Sequence, residues 1–443
     1  MENSLHSTGV TGGELVNKRN YIKKLTWLMA GGMFVDGFVL GYIGAVLPSI
    51  TKDLGLSAAW QGLIGAAALL GCLFGAPMGG WFSDRLGRRS MFTFDLMLFV
   101  VCSIAQFFVS DAYTLFIIRF FMGVAIGIEY AVGWPLLAEF APARIRGKLL
   151  CLTEIAWYVG FLASYSLGYA LTIQSVQWNI ILGLSTVPTL IVLVMRLGTP
   201  ESPRWLMSKG RKEEAMKIAA KYMGKEEQQD VLNQKYDSTT ANASFADLFK
   251  SKNIKATIFY TTAFIGSAAP YFAIAFFVST VLEKLGLKDG FAGGLFLNAL
   301  AVVGTIVTTL LIERISRRKM AIYPFLVCTV ALVTIGLVGN ASPLVITICF
   351  LIFSLFNAIS GTVLAVFPGE IFSSEVSGLG TGFATSMSRV AACVGTFLVP
   401  TIIKTHGVDI IIWASALICF AATIVAYLFC PETKGKKLSE IFG

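Results

Sequence analysis

The chain has 443 residues, of which 56% are hydrophobic and 14% charged, with a mean hydropathy of +0.73 and a net charge of +9. A soluble protein of this length carries about 25% charged residues, so a water-soluble enzyme or binding domain is excluded. The apolar residues fall in runs of about 20, long enough to cross the roughly 30 Å hydrocarbon core, and they do not alternate as barrel strands do. The chain is therefore a helical integral membrane protein.

The first 24 residues are polar and hold Lys18, Arg19, Lys23 and Lys24, so no cleavable signal peptide is expected. Twelve spans follow, at about 25–49, 60–82, 91–109, 113–138, 148–172, 177–196, 256–282, 290–312, 319–338, 344–367, 379–403 and 408–429. Lys and Arg gather in every second loop: 83–90, 139–148, 197–255, 313–319 and the tail. The intervening loops are short and nearly free of charge. The positive-inside rule then places both termini in the cytoplasm and the protein in the cell membrane. The net positive charge is thus a membrane feature, and no nucleic-acid partner is expected.

The organisation reads as a cytoplasmic segment (1–24), a six-helix bundle (25–196), a hydrophilic linker (197–255), a second six-helix bundle (256–429) and a cytoplasmic tail (430–443). The linker opens on PESPRWLMSKGRKEEAMKIAAKY, which has the pattern of an amphipathic helix. The eight cysteines lie in or at the ends of apolar runs and read as small buried residues, not disulfides or metal ligands. His6 and His406 lie outside the runs, which leaves no histidine for a proton relay.

The two halves repeat. Glu139 in LAEFAPARIRG matches Glu370 in PGEIFSSEVSG, an offset of 370 − 139 = 231. Pro200-Glu201-Ser202 returns as Pro431-Glu432-Thr433 at the same offset of 231. The turn GWFSDRLGRR (80–89) returns as IERISRR (312–318), with Glu313 for the Asp and Ser316 for the Gly. Parallel six-helix halves place a substrate site near the bilayer midplane, between them.

With these motifs the chain resembles the major facilitator superfamily of secondary transporters. GWFSDRLGRR is similar to that superfamily's loop between helices 2 and 3. PESPRWL and PETKGKKLSEI look like marks of its sugar-porter branch, and Arg119-x-x-x-Gly123-x-x-x-Gly127 opens the fourth span as in that branch. The seventh span departs from it: FIGSAAPYFAIAFF (264–277) lacks the Gln and Asn of sugar porters. FVDGFVLGYIG in the first span, GIEY (127–130) in the fourth and ExxWxxG (154–160) in the fifth resemble niacin- and aromatic-acid-type metabolite–proton symporters, with Val39 at the second Asp of their DGxD pattern. The resemblance implies twelve helices in two pseudo-repeats, an all-α membrane fold, and proton-coupled transport with no cofactor and no metal. A monomer in the lipid bilayer is expected.

Ionisable residues inside the spans are the chemical candidates, since each costs about 2.5–3.5 kcal/mol at a helix centre. Asp36 reads as a proton carrier, or else as a structural anchor. Glu129 reads as a second proton-sensitive acid, as a site for a cationic group on the substrate, or else as a structural partner. The resemblance implies that Arg119 pairs with the first-span acid. Arg389 suits a substrate carboxylate through its two-point fork, or a neutralising pair with Asp36 or Glu129. Glu154 and Asp95 read as structural network members. Trp134, Trp157, Tyr158, Tyr271, Asn298, Phe356 and Asn357 are candidates for lining a cavity, against plain packing.

A second constellation lies in the basic loops. Asp84, Arg85, Arg88, Arg89, Glu139, Arg144 and Arg146 can form charge-assisted pairs, with Glu201 and Arg204 in the linker. In the other half Glu313, Arg314, Arg317, Arg318, Glu370, Glu375 and Glu432 can do likewise. These read as an inner gate, held less tightly in the C-terminal half, where Ser316 and Ser377 replace expected groups. The function expected is a secondary active transporter moving a small polar organic metabolite, with an organic acid and proton symport favoured. The alternatives are a sugar or polyol symporter, a facilitative uniporter, a membrane-embedded enzyme and a transporter-like nutrient receptor. No P-loop, metal cluster or catalytic triad is visible in the sequence.

Overall fold

The computed structural model describes residues 12–142, 145–233, 245–285, 290–312, 314–338, 343–365, 367, 371–372 and 377–432. Twelve of its helices are long and apolar enough to cross a membrane. In the first half they are Asn20–Leu54, Ala58–Leu86, Arg88–Gln106, Ala112–Phe140, Arg146–Ile173 and Trp178–Arg196. In the second half they are Ile254–Ala275, Gly290–Leu311, Arg317–Val338, Pro343–Leu364, Leu379–His406 and Asp409–Phe429. The first span is the inner part of one helix, Gly12–Leu54, that begins well before the apolar run. Three short helices follow the first half: Pro203–Ser208, Lys212–Tyr222 and Lys225–Asn233.

The seventh span differs from the continuous 256–282 expected. It stops at Ala275, turns through Phe276 and Phe277, and resumes as Val278–Lys284. The Phe277 amide bonds to the Ile274 carbonyl, a tighter turn than the α-helix allows. The same stretch packs on the first span, where a Cβ built on Gly44 would lie 2.8 Å from the Ala275 carbonyl oxygen.

Polarity is inverted relative to a soluble protein. Leu190, Ile191, Val194, Leu337, Leu417 and Tyr427 are exposed, while Asp36, Asp95, Arg119, Glu129 and Arg196 are buried. Lipid solvates the apolar exterior, so helix association rests on close packing and on polar contacts, not on burial of hydrocarbon from water. Small residues make that packing possible. A Cβ on Gly71 would stand 1.9 Å from the Phe120 carbonyl oxygen, and one on Gly123 would stand 2.0 Å from that of Ala68, so the second and fourth spans touch backbone to backbone. Gly37 and Gly160 do the same for the first and fifth spans, at 1.9 Å from Trp157 O and 2.1 Å from Phe34 O.

Side-chain caps set the turns. Ser57 accepts from the Trp60 amide and Asp111 from the Thr114 amide. The hydroxyl and amide of Thr114 hold the exposed Asp111 carboxyl below the usual carboxylate range.

The halves meet in the middle and at the face opposite the basic loops. There a Cβ on Gly62 would lie 2.1 Å from Phe397 O, Tyr165 donates to Phe291 O at 3.3 Å, and Tyr169 stacks on Phe291 at 5.3 Å. Toward the basic face, nothing stands within 4 Å of a Cβ on Gly80 of the second span or Gly382 of the eleventh. All eight cysteines are free, and seven are buried.

The glycine contacts yield a test. Gly123→Val is expected to destabilise the protein by about 1–3 kcal/mol or more through overpacking against a backbone carbonyl. Thermal unfolding in detergent reads this; an unchanged midpoint would mean that the second and fourth spans are not in backbone contact.

Candidate functional site

Four acids and two guanidiniums stand between the helices. Asp36 is 0% exposed, and neither of its carboxylate oxygens has a hydrogen-bond partner. It lies within electrostatic reach of Glu129, Arg196, Arg389 and Glu154.

Glu129 is held by a residue that the sequence reading passed over. Arg196 donates to Glu129 from Nη1 to Oε2 at 2.7 Å and from Nη2 to Oε1 at 2.6 Å, a two-point fork. The same Nη1 reaches Phe92 O at 2.8 Å and Asp95 Oδ2 at 3.2 Å. The guanidinium carbon sits 3.6 Å from the Phe92 ring centroid. One arginine thereby ties the third, fourth and sixth spans together. The first span makes room, because a Cβ on Gly32 would stand 1.9 Å from Arg196 Nη2 and 2.2 Å from Glu129 Oε1. The signal was present: Arg196 closes the sixth apolar run inside the span boundary. It falls at the last position of the expected span 177–196 and was given no role there.

Arg389 crosses from the C-terminal half. Its guanidinium carbon lies 5.4 Å from the Tyr130 ring and 5.6 Å from the Phe272 ring, Cys72 is within its electrostatic reach, and its Nε has no partner. Glu154 lies within its electrostatic reach. Tyr130 stacks on Trp134 at 5.0 Å. Around them Trp157, Tyr158 and Tyr271 form an aromatic wall, with centroids 4.9 Å apart for Trp157 and Tyr158 and 5.8 Å for Tyr158 and Tyr271. Trp157 Nε1 and Tyr271 OH have no partner. Tyr130, Phe272 and Cys72 were also not anticipated; each looks like ordinary packing in its own span.

The other candidates sit apart. Arg119 is fully buried, its Nε donates to Ile64 O at 3.1 Å, and among the described residues it makes no ion pair with Asp36. Asn298 donates to Gly294 O of its own helix at 2.8 Å. Phe356 is half-buried and packs on the main apolar core. Asn357 donates to Ser267 O at 3.1 Å and leaves its Oδ1 without a partner.

At the basic face, Arg88 and Glu139 form an ion pair at 2.5 Å, and Glu139 also accepts from Ser202. Glu201 Oε1 accepts the backbone amides of Arg88 at 3.0 Å, Arg89 at 3.1 Å and Ser202 at 2.8 Å. It thus caps the third span, beside the left-handed Gly87, whose φ is 99°. Glu432 repeats this device in the other half: it accepts the Arg317 amide at 3.1 Å and the Ser316 hydroxyl. Ser316, expected to loosen that end, supplies a hydrogen bond instead. Arg146 donates to Ala141 O at 3.4 Å, Trp205 to Asp84 O at 3.0 Å, and Arg318 to Tyr427 O at 2.7 Å. Arg85 lies over Trp81 at 3.8 Å. Arg204 is half-buried and Arg314 exposed, while Arg144, Glu313, Glu370 and Glu375 lie outside the described residues. The described pairs are each within one half.

No group of metal-ligating side chains occurs among the described residues. Twelve spans in two repeated halves, with acids facing an arginine across the interface, define a secondary transporter of the major facilitator class. The chain belongs to the sugar (and other) transporter family, which matches residues 24–442. The inner membrane metabolite transport protein YgcS of Escherichia coli (strain K12) is 33% identical over 94% of this chain and 92% of its own length. The glucose transporter GlcP of Staphylococcus epidermidis is 28% identical over 94% of this chain and 95% of its own. The structure of the proton:xylose symporter XylE bound to 6-bromo-6-deoxy-D-glucose has the same fold, with a TM-score of 0.81 and 23% identity over 96% of this chain and 99% of that one.

Replacing Arg196 by Met should destabilise the protein by about 3–5 kcal/mol, since two buried carboxylates lose their cation. Adding Glu129→Gln should recover part of that loss. Thermal unfolding distinguishes the pair; an Arg196→Met protein as stable as its parent would mean the fork is absent. Glu201→Ala and Glu432→Ala should each cost about 1–2 kcal/mol as lost caps, and unequal effects would show that the two halves are not capped alike.

Proposed function

We propose that the protein is a proton symporter that carries a small polar organic acid by alternating access, with its basic face in the cytoplasm. The observation that carries this is Arg389. It is half-buried, clasped by Tyr130 and Phe272, and keeps an unpartnered Nε in a site whose other half supplies an unpartnered acid, Asp36. A guanidinium of this kind suits a carboxylate, and the aromatic wall suits an apolar body. The location of Lys and Arg supports the orientation and, with it, a plasma or inner membrane.

The mechanism follows from charge. A carboxylate enclosed without a partner is costly, whereas its neutral form is not. With a proton on Asp36, Arg389 is free for the substrate anion. When that proton leaves, Asp36 competes for Arg389, the substrate is released, and the halves draw together. Rocking about the second–eleventh and fifth–eighth contacts then exposes the site to the other face. Arg88, Glu139, Glu201 and their counterparts in the second half brace the basic ends during this motion.

A sugar substrate is the second reading. Asn357 Oδ1 and Tyr271 OH are unpartnered and suit hydroxyl groups, the aromatic faces suit a pyranose ring, and the glucose transporter GlcP is a relative over nearly the whole chain.

A thermal-shift screen of the purified protein against sugars, aromatic acids and aliphatic carboxylates separates the two. Arg389→Gln should weaken binding of a stabilising carboxylate about tenfold or more, equivalent to about 1.4 kcal/mol; stabilisation by sugars alone, with affinity unchanged in Arg389→Gln, would favour the second reading. In proteoliposomes, accumulation of the same ligand under an imposed pH gradient should be lost with Asp36→Asn. Retained gradient-driven accumulation would remove Asp36 from the coupling step.

A further inference from the structure

We infer that Asp95 and Glu129 hold a single proton between them beside Arg196, forming a second proton-binding site one helical turn nearer the basic face than Asp36. Its use in transport rests on the symport reading; the bound proton itself does not.

The geometry argues for it in three steps. First, the cluster is closed. Asp95 and Arg196 side chains are 0% exposed and that of Glu129 is 1%. The Phe92 ring covers the guanidinium and Gly32 packs against its edge. Second, the charges do not balance. One guanidinium faces two carboxylates, and its Nη1 is divided between Glu129 Oε2 and Asp95 Oδ2. Asp95 also accepts the Leu96 amide at 2.6 Å, which is a hydrogen bond and not a counter-charge. Third, Glu129 Oε2 and Asp95 Oδ2 both sit on the one nitrogen Arg196 Nη1, at 2.7 and 3.2 Å, so the two carboxylates stand side by side. Two carboxylates sharing one cation in a closed site repel each other, and one proton relieves that repulsion. With it the cluster is neutral.

Among the described residues, no cation other than Arg196 contacts the two carboxylates. The groups acting on the cluster are Asp36 from the first span, Asp95 from the third, Glu129 from the fourth and Arg196 from the sixth. Glu154 of the fifth span and Arg389 of the eleventh act on Asp36. Position gives the site its role. Gly32, against which Glu129 and Arg196 pack, lies four residues before Asp36 on the same helix face. A proton leaving Asp36 for the basic face meets this carboxyl pair first.

Infrared spectroscopy of the purified protein near neutral pH tests the inference without any transport measurement. The wild type should show the carbonyl stretch of a protonated carboxyl that persists in Asp36→Asn and disappears in Asp95→Asn and in Glu129→Gln. Either of the last two variants decides, so one that fails to fold leaves the answer to the other. A band that survives in both, or no protonated carboxyl remaining once Asp36 is removed, would overturn it. Failure of Asp36→Asn to abolish gradient-driven accumulation would leave this result standing.

Discussion

A guanidinium buried between membrane helices is costly alone and so is a buried carboxylate, and pairing the two offsets both costs. The Arg196 fork is where this constraint shapes the first half. It draws one charge from the sixth span onto acids of the third and fourth, and it requires a glycine on the first. Four spans are thereby fixed in register by a single side chain. A substitution at any of these positions must either rebuild the neutralisation or leave a charge stranded. Gly32 is as much a part of the site as Glu129, although it carries no chemistry.

The same constraint makes the halves unequal. Asp36, Asp95, Glu129 and Glu154 all belong to the first half, and Arg389 reaches them from the second. The fold is a repeat, yet among the described residues no buried acid of the second half answers these four. What does repeat is the architecture at the basic face: Glu201 and Glu432 each cap the helix that follows a turn of arginines. This explains physically why the Pro-Glu-Ser and Pro-Glu-Thr motifs recur at a fixed offset. A long apolar helix starting at the membrane surface exposes amide donors, and a carboxylate from the segment leaving the same half satisfies them.

Much of the fold was legible because the bilayer imposes a simple rule. Apolar runs of the required length must be helices, and the alternation of basic loops orders them. The break after Ala275 was not legible, since FAIAFF is uniformly apolar and the turn comes from packing on Gly44, a tertiary contact. Within the site, Asp36, Glu129 and Arg389 stood out as charges at depth. Arg196 did not, because a positive residue at the end of a run toward the basic face looks like any other positive-inside charge. Only the third dimension shows that its side chain turns inward. Arg119 illustrates the reverse: its sequence context suggested an acid partner, whereas its Nε is bonded to a backbone carbonyl. Tyr130 and Phe272 were invisible for a third reason, since an aromatic in an apolar span has no signature until a cation is placed on its face.

Contacts between the halves are mostly of a kind that carries no charge information. At the face opposite the basic loops they are backbone against backbone and ring against ring, as with Gly62 on Phe397 and Tyr169 on Phe291. Such contacts stabilise one arrangement of the halves but do not respond to a proton or to an anionic ligand. Among the described residues, the Arg88–Glu139 ion pair at the basic face lies within a half. Arg389 is different: it belongs to one half while its aromatic, thiol and acidic neighbours Tyr130, Cys72, Asp36 and Glu154 belong to the other. A change of charge on the first half can therefore be felt by the second through this side chain, and a ligand that occupies the guanidinium changes the same balance. Binding and orientation are coupled where one residue enters both equilibria, and among the described residues Arg389 occupies that position.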